Sequence, residues 1–223
     1  EEIARRSDNR IHMTRRGYLL VTRETKSDEL LQQLYAGYGA QAAKLIRLHE
    51  GASRGYVPPH SADWQTAPDG VDVLLGRDLI QPHYPTFDKE VSTALHIRRA
   101  GDISGQQLGQ YMLETMRPLG AQFQQAKVVG LAKADRFAVE VLADGVRQTI
   151  RADIIVNAAG PFAAQVAAMH GERLPIVNVL QQKIAFADRN RAVDRKMPFA
   201  IDLDGQTLAW SDDERALHSL GYQ

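Results

Sequence analysis

Residues 151–171 read RADIIVNAAGPFAAQVAAMHG. An apolar run, Asp153 to Asn157, leads into three small residues, Ala158, Ala159 and Gly160, and then into Pro161 to Gly171. The run lacks polar alternation, as expected of a strand covered on both faces within a parallel sheet. Phe162, Val166 and Met169 recur at helical spacing and are expected to face inward. Strand, small-residue turn and helix together place bare backbone at the carboxyl end of a sheet strand, where open α/β sheets bind ligands. The same small residues would also let a helix pack tightly on a strand with no ligand at all. The surrounding elements have to decide between the two.

Upstream, SGQQLGQYMLETMRPLG (104–120) has Ser104 and Gln107 at capping-box spacing. Leu108, Tyr111, Met112, Met116 and Leu119 form one apolar face, and Pro118 and Gly120 end the predicted helix. Three strands follow, near Val128–Ala132, Phe137–Leu142 and Val146–Arg151. Asp144-Gly145 between the last two is a hairpin signal, because both residues tolerate a positive φ. Further upstream, Tyr18 to Thr22 reads as a short strand entered through Gly17. A helix is predicted after Ser27, carried by Leu30, Leu31, Leu34, Tyr38, Ala42 and Leu45 and weakened by Gly37 and Gly39. Residues 51–70 are rich in Gly, Pro, Ser and Asp and read as a long loop.

Several chemistries are excluded or disfavoured. Lys+Arg and Asp+Glu both number 27, so no basic excess is available to release counterions from nucleic acid. With no cysteine, the chain holds no disulfide, thiolate-ligated metal or thiol nucleophile, and a reducing, cytoplasmic setting is compatible. No apolar run reaches the length of a membrane-spanning helix. The seven histidines show no i,i+4 pair on a helix and no carboxylate cluster at loop spacing, so no metal site is expected. GASRG (51–55) matches the G-x-S-x-G pattern of a hydrolase, but Pro58 and Pro59 forbid the helix that would hold the serine on a strained turn.

Taken as an ordered set, these segments carry a resemblance. HIRRAGDISGQQLGQYMLETMRPLGA (96–121), AKVVGL (126–131) and RADIIVNAAGPFAAQVAAMHGERLPIVNVLQQKIAF (151–186) resemble the FAD-dependent oxidoreductases of the glycine/D-amino acid oxidase family. HIRRAG, QQLG and WSDDER (210–215) are similar to a bacterial subgroup of these enzymes. The resemblance implies an α/β (α+β) chain, part of a two-domain FAD/NAD(P)-binding flavoprotein fold with a β-meander and a mixed-sheet substrate domain. Residues 1–100 would form part of the substrate domain, 101–172 the second half of the FAD-binding domain, and 173–223 the return into the substrate domain. The family's N-terminal G-x-G-x-x-G unit and its glycine-rich C-terminal segment do not occur in the sequence. Together with an opening on Glu1, this leads to the expectation of an internal segment of a longer protein, poorly stable and inactive by itself.

The implied activity is oxidation of a C–N bond in an amino acid or secondary amine, with FAD as cofactor and hydride acceptor. By resemblance, Val128 presents its backbone to the adenine end of FAD, while Ala158, Ala159 and Gly160 let the chain pass close to the ribose–pyrophosphate. Phe162 stands where many relatives have tryptophan and packs. A strand after Pro175, with Gln181, Gln182 and Lys183, would run past the flavin. A substrate carboxylate calls for a guanidinium fork or another cation, which makes Arg98, Arg99 and Lys183 substrate-side candidates, with Gln182, next to Lys183 on the strand expected to pass the flavin, as a neutral fourth. For each cation an ordinary ion pair is the competing role, and no catalytic residue is assigned. Two other functions stay open: a non-catalytic α/β binding or scaffold module, and a flavin-dependent hydroxy-acid or glycerol-phosphate-type dehydrogenase.

Overall fold

A computed structural model describes residues 1–24, 28–51, 55–59, 64–181, 183, 185, 187–205 and 211–213. Ser27, Ser53 of the GASRG segment, Gln182, Trp210 and Arg215 lie outside the described residues. The chain forms two compact units, one of residues 1–114 and 188–223, the other of residues 115–187.

The larger unit is built on a five-stranded mixed sheet. In chain order its elements are α1 (Glu2–Arg6), β1 (Tyr18–Thr22), α2 (Asp28–Tyr38), α3 (Ala42–Leu45), β2 (Ile46–Glu50), β3 (Val71–Leu75), α4 (Arg77–Ile80) and β4 (Thr93–Ile97). The helix α5 (Gly105–Met116) follows, and the last strand of the chain (Phe199–Asp202) completes the sheet. That strand pairs parallel with β1, β1 antiparallel with β4, β4 antiparallel with β3, and β3 parallel with β2. The strand and helix predicted over residues 18–45 are both present, the helix broken where Gly39 turns to a φ of +52°. β2, β3 and β4 had no counterpart in the sequence reading.

VDVLL of β3 and TALHI of β4 are buried over four of five positions, because both faces of the sheet are covered. The period of two separates their side chains. Leu19, Val21, Leu74 and Ala94 face Tyr56, Leu79, Ile80, Tyr84 and Val91 on one side. On the other, Ile46, Val71, Val73 and Leu95 meet Ala42 and the half-buried Leu30, Leu31, Leu34 and Tyr38. Each fully buried Leu or Ile contributes about 1.5–3 kcal/mol, so this two-faced core is where the unit's stability resides. α5 begins as predicted: Ser104 Oγ accepts the Gln107 N–H at 3.2 Å, and a 3₁₀ turn over Arg117–Leu119 ends at Gly120 with a φ of +85°.

The smaller unit contains the predicted meander: β5 (Lys127–Lys133), β6 (Phe137–Ala143) and β7 (Val146–Ala152), paired antiparallel in that order. Asp144 and Gly145 take φ of +49° and +79°, as the tight hairpin between β6 and β7 requires. After β7 come a 3₁₀ turn over Gly160–Phe162 and the short helix α6 (Ala163–Ala168); the strand Phe199–Asp202 of the larger unit is β8.

Three expectations here are corrected. Residues 153–157 do not form a ladder strand, and Ile154 and Val156 are 81% and 82% exposed. A two-sided strand needs a neighbour on each edge, and no described segment pairs with this run. Ile155 alone in the run is half-buried, and Asp153, Ile154, Val156 and Asn157 are exposed. Phe162, in the 3₁₀ turn ahead of α6, and Met169, just past its end, are exposed rather than packed inward, and only Val166 of the three is half-buried. The expected strand after Pro175 is likewise absent from the described residues between 172 and 187, where Val177, Val179 and Leu180 stand exposed.

Candidate cofactor and substrate sites

In the smaller unit, the turn of small residues lines a cleft of about 140 Å³ with the meander and α6. Val128 and Leu131 of β5, Val139 of β6, Ile155 to Ala159 and Val166 form its walls. The structure thus brings Val128, Ala158 and Ala159 together, from positions some thirty residues apart. Gly160 follows at a φ of +55°, a left-handed conformation that glycine adopts without steric cost. A Cβ placed at Gly160 would meet no described heavy atom within 4 Å, so the turn presents open space and backbone rather than side chains. An apolar cleft edged by unshielded backbone suits the close passage of an extended cofactor. These residues fit one wall of an FAD site.

The turn is tied from below by side chains that the sequence reading missed. Asn157 Oδ1 accepts the Ala159 N–H at 3.3 Å while its Nδ2 donates to the Ala163 carbonyl at 2.9 Å. Asn178 Nδ2 donates to the Pro161 carbonyl at 3.0 Å. The one available signal was an asparagine closing an apolar run immediately before Ala-Ala-Gly.

The substrate-side candidates are placed very differently. Arg98 is buried on the sheet of the larger unit, its Nε 3.3 Å from Asp72 Oδ2 and its Nη1 donating to His96 Nδ1 at 2.6 Å. Arg99 is exposed and pairs with Glu1 at 3.4 Å. Lys183, of the smaller unit, is exposed.

Arg98 belongs to a polar cluster that the strand register assembles. Arg47, Asp72, His96 and Leu19 are successive partners across β2, β3, β4 and β1, so their side chains share one sheet face. Arg47 grips Asp72 with Nε at 2.6 Å and Nη2 at 3.1 Å, and His49 Nε2 lies 2.8 Å from Asp72 Oδ1. Burial pushes the Asp72 carboxyl up, but hydrogen bonds from Arg47 and His49 and the charges of Arg47 and Arg98 outweigh it and hold the group below the ordinary carboxylate value.

His96 Nε2 lies 2.7 Å from the Arg16 carbonyl, which only accepts, so Nε2 carries the proton and Nδ1 is the acceptor. Nδ1 faces Arg98 and also the Tyr56 hydroxyl at 2.9 Å; Tyr56 in turn bonds the Tyr84 hydroxyl. Burial and then the Arg98 charge depress His96 to about 4, which leaves it neutral near pH 7. Burial raises both tyrosines, Tyr84 to about 12. The sequence signal for this cluster was weak: single polar residues interrupting VDVLL and TALHI.

Among the described residues no group of three or more His, Cys, Asp or Glu is placed to hold a metal ion, and no helix is long and apolar enough to cross a membrane.

A family model described as FAD dependent oxidoreductase matches residues 1–217. The chain belongs to this family. Over 86 residues it is 37% identical to D-amino acid dehydrogenase 3 of Mesorhizobium japonicum, a match covering 38% of this chain and 21% of that protein. Two solved structures share the fold of this family member. Iminodiacetate oxidase from Chelativorans sp. BNC1 aligns at a TM-score of 0.53 and 21% identity, over 79% of this chain and 40% of the other. L-Proline dehydrogenase from P. horikoshii aligns at 0.55 and 15% identity, over 91% and 47%. The chain spans about a fifth of the curated relative and less than half of either solved protein. Its mixed α/β architecture is that of FAD-binding oxidoreductases, as the sequence reading expected.

Proposed function

We propose that the protein is an FAD-dependent oxidoreductase that oxidises a C–N bond of an amino acid or secondary amine. The observation that carries this is the family match over nearly the whole chain, residues 1–217. Residues 115–187, which hold most of the stretch read as the second half of the FAD-binding domain (101–172), supply one wall of the cofactor site in this reading. Residues 1–100 and 173–223 are assigned in this reading to the substrate domain. Relatives named for D-amino acids, iminodiacetate and L-proline motivate the substrate class. A cysteine-free chain fits a reducing, cytoplasmic setting, which is part of the same proposal.

FAD, when bound, supplies the hydride acceptor for the carbon that carries the amine. The chain's own contribution is binding and orientation. Val128 offers backbone at the edge of the cleft, and Ala158, Ala159 and Gly160 keep side chains out of the cofactor's path. Leu131, Val139 and Val166 make the wall apolar. Of the substrate-side candidates Arg99, which pairs with Glu1, and Lys183 are exposed cations, and Gln182 is beside Lys183 in sequence. Arg98, with Asp72 as counter-ion, acts in this reading by positioning the sheet that carries it.

The test is the visible spectrum of the intact protein after incubation with FAD and removal of excess. Oxidised-flavin bands that bleach anaerobically with D-amino acids or secondary amino acids are expected. Bleaching by hydroxy acids alone would replace the substrate class, and a protein that retains no flavin would overturn the reading.

A further inference from the structure

We propose that Asn157 and Asn178 are positioning residues that hold the 158–163 turn in its cofactor-ready shape; this rests on the reading that the turn faces FAD. The turn carries almost no side-chain anchorage of its own. Ala158, Ala159 and Gly160 have at most a methyl group, Pro161 has no N–H, and Phe162 is exposed. Small residues that clear a path for a ligand also leave their backbone free to wander, because little packing restrains it. The 3₁₀ bond from Phe162 N–H to Ala159 O, at 3.0 Å, secures one step of the turn. The two asparagines secure the rest.

Their chemistry is specific to the amide. The Ala163 carbonyl can only accept, so the Asn157 NH₂ must face it, which leaves Oδ1 toward the Ala159 N–H. One side chain therefore bridges the start of the turn to the start of α6. Asn178 donates to the Pro161 carbonyl from a segment with no regular structure of its own, and so ties that segment to the turn as well. A carboxylate in either place would keep the size and lose the donor, setting an oxygen against a carbonyl oxygen. Asp is therefore the discriminating substitution.

The experiment uses the intact protein, stripped of flavin and titrated with FAD while flavin fluorescence is followed, with Asn157→Asp, Asn178→Asp and Arg136→Ala as variants. Arg136 pairs with Asp153 on the surface of the same unit and serves as the control. Each Asp variant is expected to weaken the FAD Kd about tenfold, the scale of one or two lost hydrogen bonds. The apoprotein's urea midpoint should fall by no more than about 0.5 M, because both asparagines are exposed, the visible circular dichroism of bound flavin should change, and Arg136→Ala should bind as wild type does. Wild-type affinity in both Asp variants overturns the positioning role and leaves the proposed function standing. So does a loss of affinity with the visible circular dichroism of the bound flavin unchanged, which marks a merely structural role. A wild-type protein that binds no FAD refutes the proposed function, and this inference falls with it.

Discussion

Asp72→Asn tests the cluster beneath the sheet most directly. The carboxylate and Arg98 have side chains only 4% and 5% exposed, whereas Arg47 is 35% exposed and can turn toward water. Asparagine preserves the volume of Asp72 and one acceptor oxygen but removes the charge, and its NH₂ group would face a guanidinium. Arg47 can rehydrate; Arg98 cannot, and its buried charge loses its counter-ion. Breaking a buried pair in this way costs about 3–5 kcal/mol, against about 0–1 kcal/mol for an exposed pair. Taking an m-value of about 2 kcal/mol/M, urea unfolding followed by circular dichroism should show a midpoint lower by roughly 2 M. The same experiment on Arg99→Ala, which severs only the exposed pair with Glu1, should move the midpoint by less than about 0.5 M. Raising the salt to about 1 M should leave the Asp72→Asn deficit nearly unchanged, since buried pairs are little screened. A deficit for Asp72→Asn no larger than that of Arg99→Ala would refute the claim that Arg98 depends on Asp72.

Two further outcomes follow from the same sheet. His96 is held near 4 in the folded protein, by burial first and by Arg98 second, against an ordinary value of 6.5. Between those values the unfolded chain binds the extra proton, so stability present above pH 6.5 is lost as pH falls toward 4, by about 3 kcal/mol in all. Asp72, held below its ordinary value, adds its own loss only at lower pH still; urea midpoints at pH 7 and 4.5 should differ accordingly, and His96→Gln should flatten the difference. Gly17→Ala places a Cβ 2.2 Å from His96 Nε2 and 2.6 Å from the Ile97 carbonyl, at a φ of +90°. The change should destabilise by more than about 2 kcal/mol, and a thermal midpoint within about 2 °C of wild type would contradict the packing described.

What was legible in the sequence was what neighbouring residues determine. Ser104 and Gln107 lie three residues apart, and the cap they predict is present. Asp144-Gly145 sets the hairpin between β6 and β7, because the φ values it needs are a property of those two residues alone. The order of capped helix, meander and Ala-Ala-Gly turn was local enough to carry the family resemblance, and Val128, Ala158 and Ala159 do line one cleft. Beyond these, contacts over long sequence separations decided. Arg47, Asp72 and His96 meet only because β2, β3 and β4 pair in one register, and a slip by one residue would send them to the opposite face. The apolar run at 153–157 promised a two-sided strand, yet burial on two sides is a property of neighbours, and no described segment of this chain flanks it. Sequence by itself determined the turns, caps and hairpins, whose energies lie within a few consecutive residues. Only the tertiary structure decided which strands pair and which charge is buried against which, because register and desolvation belong to the assembled sheet and to no single segment.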